Sequence, residues 1–254
     1  MNGKPPQESL DLWLLPSGAG DKMAELYAVG FQELDLSANA LLLNDTSKSV
    51  VWEEAISRSL NSRGARYTMI ASRQLVGMLL CVFVREELRG QVGNVAAVAE
   101  GVGLMGMMGN KGGVGVRIRF CDSTLVFVNS HLSAHQENID RRNQDYRDIS
   151  RRLQFPAIPV NYNGLDQRLL LPKPVHEYAD PRFQAQAGPP SPAAAAQGPQ
   201  PEDCSSIFDH EHCFWLGDLN YRIDLPDWQC KQLVAARNWP AARHTGSPAK
   251  PSAR

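Results

Sequence analysis

Asp218 and Asn220 stand two residues apart in Phe214-Trp215-Leu216-Gly217-Asp218-Leu219-Asn220-Tyr221-Arg222. A carboxylate can take a proton from water or hold a metal ion, and a carboxamide can donate to a phosphate oxygen. On a strand, residues two apart point the same way, so both groups are expected to face one site, anchored by the apolar run before Gly217. Read alone, Gly-Asp-Leu-Asn also suits a strand ending in a turn, since Gly, Asp and Asn are all turn formers.

Two other apolar runs end in polar groups. Leu26 to Phe31 reads as a buried strand and ends in Gln32-Glu33. Hard divalent cations want carboxylate oxygen, which Glu33 supplies, although an ordinary helix-start acid reads the same way. Leu125 to Val128 is continuously apolar, so buried on both faces, and ends in Asn129-Ser130-His131. Strands that end together put these groups at one rim of a sheet.

The elements between them follow from periodicity. Val51 to Leu60 has helical spacing, and Tyr67 to Arg85 reads as two strands with Ser72-Arg73-Gln74 as the turn. Val114 to Phe120 alternates as a half-buried strand. From His135 to Phe155 the period becomes helical, with Ile139, Tyr146, Ile149 and Leu153 on one stripe. Leu225 to Trp239 reads as one amphipathic helix.

A glycine-rich loop runs from Gly101 to Gly113. Its Gly101-x-Gly103-x-x-Gly106 matches a dinucleotide fingerprint, with Asp122 about 20 residues on. That fingerprint needs a helix after the third glycine; here glycines continue and a strand follows. A P-loop fails as well, because Gly112 follows Lys111 where Ser or Thr is needed. What remains is a loop of bare amides and one ammonium, able to approach a phosphate, or a glycine-rich turn with a solvated lysine.

Composition narrows the classes. A net charge of −1 over 254 residues gives no basic field for nucleic acid. Five cysteines, an odd number without CxxC spacing, argue for a reducing compartment and against a zinc knot; Cys81, Cys121 and Cys213 look like core fillers. The N-terminus shows no signal-peptide pattern, and no apolar run is long enough to span a bilayer, so the chain is read as soluble. Pro156 to Ser206 holds most of the 17 prolines, and its middle, about 180–203, reads as a disordered Pro/Ala-rich insertion. The tail 240–254 reads as unstructured.

Taken together, Phe31-Gln32-Glu33-Leu34, Gly109-Asn110-Lys111-Gly112-Gly113, Asn129-Ser130-His131-Leu132, Arg142-Asn143-Gln144-Asp145-Tyr146 and Trp215 to Arg222 resemble the inositol polyphosphate 5-phosphatases, above all their type II group. The resemblance covers about residues 2–239. It implies an endonuclease/exonuclease/phosphatase fold of the α/β (α+β) class, a two-sheet β-sandwich flanked by helices. It implies Mg²⁺-dependent removal of the 5-phosphate from a phosphoinositide or soluble inositol phosphate. Glu33 would bind Mg²⁺. Asp218 would orient or deprotonate the attacking water, and Asn220 and His131 would hold and polarise the phosphate. Asn110 and Lys111 would lie beside the phosphorylated ring, with Asn143 a further substrate contact. The resemblance also implies a cytoplasmic protein visiting endosomal, Golgi or plasma membranes peripherally, through apolar loops that Leu41, Leu42, Leu104 and Met105 would fit; packing on the sandwich would fit those residues equally.

The chain departs from that family's pattern at both ends. Only Asn2-Gly3 remains of an opening Trp-Asn-Val-Asn-Gly, and the family's Pro-x-Trp-Cys-Asp-Arg and Ser-Asp-His segments do not follow Asn220. Met107 stands where a basic residue is usual. The expectation is an incomplete 5-phosphatase domain over 1–239, with open sheet edges and little activity alone. A non-catalytic binding remnant, or a nuclease-like phosphodiesterase of the same fold, are the alternatives.

Overall fold

The computed structural model describes residues 4–15, 23–35, 47–103, 110–156 and 204–244. Leu41, Leu42, Leu104, Met105, Met107, the 180–203 insertion and residues 245–254 lie outside the described residues.

The first sheet is an antiparallel triplet. Strand β1 (Leu26–Phe31) and strand β2 (Tyr67–Leu75) flank β3 (Met78–Arg85). β3 is buried on both faces, which explains its unbroken apolar sequence. Leu79, Cys81 and Phe83 pack with Val29 and Phe31 against Trp52, Ile56 and Leu60 of helix α2 (Ser47–Leu60) and Leu14 of the short helix α1 (Asp11–Leu14). Leu80, Val82 and Val84 point the other way, into a cluster shared with the second sheet.

That second sheet has the order β4 (Val92–Gly101), β5 (Gly112–Phe120), β6 (Ser123–His131), β9 (His212–Asp218). Val114, Val116 and Ile118 of β5 and Phe127 of β6 meet the first sheet. The opposite face, with Val126 and Val128, packs on Ile149 and Leu153 at the C-terminal end of helix α3 (Ile139–Arg152). Gly113 and Gly115 let α3 approach, since a Cβ there would stand 2.8 Å from Ile149 and from Leu153. A two-stranded ribbon, β7 (Gln154–Pro156) with β8 (Cys204–Ser206), follows. Helices α4 (Asp227–Ala235) and α5 (Trp239–His244) close the described chain. The result is helix, sheet, sheet, helix: a β-sandwich flanked by helices, the expected fold class.

Several expectations are corrected. The turn between β2 and β3 lies at Val76-Gly77, not at Ser72-Arg73-Gln74, which are strand residues. Ser72 bonds Glu53, and the Gln74 carboxamide donates to the Val76 carbonyl at 2.7 Å, so these polar groups are satisfied without a turn. The C-terminal helix is two helices, broken where Arg237 takes φ 52°, and residues 240–244 belong to the second. Only Cys81 is a core filler; Cys121 and Cys213 are exposed. Val126 and Val128 are fully buried. The open edge was expected and is found: β9 has no partner beyond it among the described residues, and Phe214 is 49% exposed.

Candidate functional site

β6 and β9 run parallel, and their last register pair is His131 with Asp218. A parallel pair carries the C-terminal ends of both strands to one rim, so the two polar endings converge as their sequences implied. Gly217 permits this. It adopts φ 122°, and a Cβ there would stand 2.1 Å from the Ser130 carbonyl oxygen. Next to it the Trp215 indole N–H donates to Ser130 Oγ at 2.8 Å.

Asn129 ties the rim to the first sheet. Its fully buried carboxamide nitrogen donates to the carbonyls of Phe31, at 3.1 Å, and Leu79, at 3.0 Å. Its Oδ1 accepts from Gln32 Nε2 at 2.5 Å. The sheets meet closely here, since a Cβ on Gly30 would stand 2.6 Å from Asn129 Oδ1. Sequence reading treated Asn129 as part of a polar triplet and missed this bridging role. The signal available was an amide that follows four apolar strand residues yet must be satisfied when buried.

Around that frame stand the chemical groups. Lys111 Nζ lies 2.6 Å from His131 Nε2. An ammonium can only donate, so His131 accepts at Nε2 and, when neutral, carries its proton on Nδ1. His131 Nε2 is 3.7 Å from Asp218 Oδ2. Burial lowers the affinity of His131 for a proton, and the Lys111 cation lowers it further, against the opposing pull of Asp218 and Glu33. The 3.7 Å contact sets an imidazole that accepts at Nε2 beside the Asp218 carboxyl group. Burial likewise lowers the Lys111 pKa, while Asp218 and Glu33 oppose it. Those effects place Glu33 within electrostatic reach of both groups, exposed at the end of β1 with φ 56°. Asn110 is exposed beside Lys111.

Asn220 is not where strand alternation puts it. β9 ends at Asp218, and Asn220 sits at φ 56°, so the period of two no longer applies. The Asp218 side chain is 50% exposed, whereas Asn220 is 7% exposed. The Asn220 carboxamide donates to the Leu132 carbonyl at 2.8 Å and accepts from Arg222 at 2.8 Å, and its amide donates to Asp218 Oδ1 at 2.9 Å. In this arrangement it locks the loop instead of facing outward with Asp218. Asn143, on α3, accepts from the Tyr221 hydroxyl at 2.5 Å.

The donor set fits a hard cation. Among the described residues no group of three or more His, Cys, Asp or Glu is placed to hold an ion. Mg²⁺ takes one or two carboxylates and completes its shell with water and substrate phosphate. Glu33, with Asp218 beyond the Lys111–His131 pair, offers that kind of oxygen.

Comparison with known proteins agrees with the geometry. The pattern of the endonuclease/exonuclease/phosphatase family 2 matches residues 1–245. The chain is 38% identical over 235 residues to the mouse type II inositol 1,4,5-trisphosphate 5-phosphatase, covering 92% of this chain and 19% of that one. It is 30% identical to human synaptojanin-1 over 243 residues, 91% of this chain and 12% of that one. The solved 5-phosphatase domain of SPsynaptojanin, in complex with inositol (1,4)-bisphosphate and a calcium ion, superposes with a TM-score of 0.64 at 28% identity, over 93% of this chain and 55% of that one. Cimex nitrophorin, 16% identical with a TM-score of 0.53, shares the fold alone. The chain thus spans under a fifth of the curated relatives and about half of the solved domain. It is a member of the endonuclease/exonuclease/phosphatase family 2, and inositol polyphosphate 5-phosphatases are its homologues.

Proposed function

We propose that this chain acts on the 5-phosphate of a phosphoinositide or soluble inositol phosphate, hydrolysing it with Mg²⁺. The observation that carries this reading is the convergence of Asp218, His131 and Lys111 at the shared end of β6 and β9, with Glu33 in electrostatic reach. Nitrophorin shows that the fold alone does not specify this chemistry, so the site must carry the argument.

A bound Mg²⁺ would neutralise phosphate oxygens and lower the barrier to attack by water. Asp218, half exposed and fixed by the Asn220 amide, holds and deprotonates the attacking water. Lys111 brings positive charge to the phosphate, and His131 polarises it once its Nε2 carries a proton in place of the Lys111 bond. Glu33 is the metal-binding carboxylate, with Asn110 beside the ring. Asn143 accepts from Tyr221 at Oδ1 and can contact substrate through its carboxamide nitrogen without leaving that partner, whereas the Asn220 carboxamide nitrogen already donates to the Leu132 carbonyl. The inward, committed Asn220 carboxamide supports a reduced activity. The near-neutral charge speaks against nucleic acid as substrate. Peripheral membrane contact from the cytoplasm, through loops holding Leu41, Leu42, Leu104 and Met105, belongs to the same proposal.

The test is phosphate release from short-chain phosphatidylinositol 4,5-bisphosphate with Mg²⁺, with EDTA, and with Asp218→Ala. Turnover that needs Mg²⁺ and disappears in the variant supports the reading. No turnover by the folded protein leaves a phosphoinositide-binding role, to be read from vesicle binding.

A further inference from the structure

Arg142 is among the largest fully buried side chains, at 1% exposure. It projects from α3, and its guanidinium meets backbone carbonyls. One terminal nitrogen donates to Ser133, at 3.3 Å, and to His135; the other donates to Gln136 at 3.3 Å. These carbonyls belong to the loop that leaves His131. Burying a guanidinium is expensive; three carbonyls take its two terminal nitrogens without cancelling its charge, while its buried Nε has no hydrogen-bond partner among the described residues. The rigid fork of the guanidinium fixes all three at once, which a lysine cannot do.

The same side chain reaches the other strand's loop. Its guanidinium carbon lies 5.1 Å from the Tyr221 ring centroid, a cation–π contact. Asn143, the next residue, accepts from the Tyr221 hydroxyl at 2.5 Å. Tyr221 directly follows Asn220, whose amide holds Asp218 and whose carboxamide holds the Leu132 carbonyl. Asp145, fully buried, adds a third fastening by accepting from the Ser133 amide at 2.9 Å and hydroxyl at 2.6 Å.

We infer that Arg142 is a positioning residue: through the Ser133–Gln136 carbonyls and the Tyr221 ring it couples the loop after β6 to the loop after β9, and so sets His131 against Asp218. No group of Arg142 is placed on substrate; it acts through its neighbours, as supporting residues around a reactive pair do. The coupling itself is independent of the phosphatase reading, while its catalytic consequence rests on that reading.

The experiment is residue-resolved amide exchange by NMR on the whole chain, with kinetics alongside. The reporters are the Leu132 amide, which donates to Asp218 O at 3.0 Å, and the Asn220 amide, which donates to Asp218 Oδ1. In Arg142→Met both are expected to exchange at least about tenfold faster, a change of about 1.4 kcal/mol in local opening, while the Val116 and Val128 amides of the sheet keep their rates. Arg142→Lys is expected to rescue little of this. Where wild type turns over substrate, kcat should fall about tenfold with KM within about twofold, because ground-state binding is untouched. If Arg142→Met does not fold, Tyr221→Leu decides: it removes the ring that Arg142 meets, and is expected to speed exchange at Asn220 while the sheet stays protected. Unchanged exchange at Leu132 and Asn220 in the folded variants overturns the inference. Wild-type protein without turnover overturns the phosphatase reading and leaves the exchange result to decide the coupling.

Discussion

His131 and Asp218 end their strands as partners in one parallel register, with Nε2 and Oδ2 3.7 Å apart. The backbone reinforces the pairing, because the Leu132 amide donates to the Asp218 carbonyl at 3.0 Å. A carboxylate and an imidazole are thus held by the sheet itself. Lys111, 2.6 Å from the same imidazole nitrogen, arrives from the strand on the other side of β6. Three neighbouring strands each deliver one group to a common rim.

This arrangement sets the titration of His131. Burial, then the Lys111 cation, lowers its pKa, and Asp218 and Glu33 pull the other way. Lys111→Met is expected to move the midpoint up, towards the ordinary value of about 6.5, and Asp218→Asn to move it down. Side-chain NMR titration reads both shifts, and opposite signs would contradict the geometry.

A stability effect follows from the same shift. The unfolded chain binds a proton near pH 6.5 that folded His131 resists, so stability is intact above that value. It is lost as pH falls through 6.5 towards the lower folded pKa. His210, lowered by burial and Arg117, acts in the same direction. Urea midpoints should fall between pH 7.5 and 5.5, and His131→Asn should remove part of the fall. A midpoint that rises over this interval would contradict both assignments.

Asn129 joins the two sheets at their closest approach. Asn129→Ala removes its bonds to Phe31, Leu79 and Gln32 and leaves two buried carbonyls unpaired. The expected loss is about 2–6 kcal/mol, at about 1–3 kcal/mol for each group left unsatisfied, read by urea denaturation. A loss under about 1 kcal/mol would mean that water replaces the carboxamide.

What the sequence revealed depended on whether a residue's setting was local. β1, β5, β6, α2 and α3 follow from period, and the polar endings of β6 and β9 announced their shared rim, but β1, expected at the same rim, belongs to the other sheet. β4 was missed because its Gly, Asn and Ala residues dilute the strand pattern. The β2–β3 turn was misplaced because Ser72 finds a partner in Glu53 that only the fold supplies, and Gln74 bonds Val76 in the turn that follows it. Asn220 was aimed outward because alternation was carried past the end of β9, where a positive φ turns the side chain in. Nor could the sequence show that Arg142 reaches across to Tyr221, since that contact needs both loops in place.

Gly217 is expected to tolerate no side chain. A Cβ would lie 2.1 Å from the Ser130 carbonyl oxygen and 2.7 Å from the Ser130 nitrogen, both backbone atoms of the pairing strand. The φ of 122° adds strain of about 1–3 kcal/mol for any other residue. Gly217→Ala should therefore cost more than about 3 kcal/mol, placing it among the most damaging single changes. A thermal midpoint within about 2 °C of wild type would show that β9 can slide in register and that the His131–Asp218 pairing is softer than described.

Glu33 is the residue on which the metal proposal turns. It is exposed at the end of β1, yet electrostatically felt by Lys111 and His131, so a cation bound to it would sit at the rim and relieve nothing else in the fold. Mg²⁺ at a hundred times its dissociation constant would stabilise the folded chain by about 2.7 kcal/mol, visible as a rise in thermal midpoint without any substrate. Glu33→Gln should abolish that rise while keeping the metal-free midpoint, because the side chain is exposed. Glu87→Gln, which breaks only the surface pair with Arg85, should leave the rise intact. A Mg²⁺-dependent rise that persists in Glu33→Gln would move the metal to Asp218, and with it the water that Asp218 is proposed to activate.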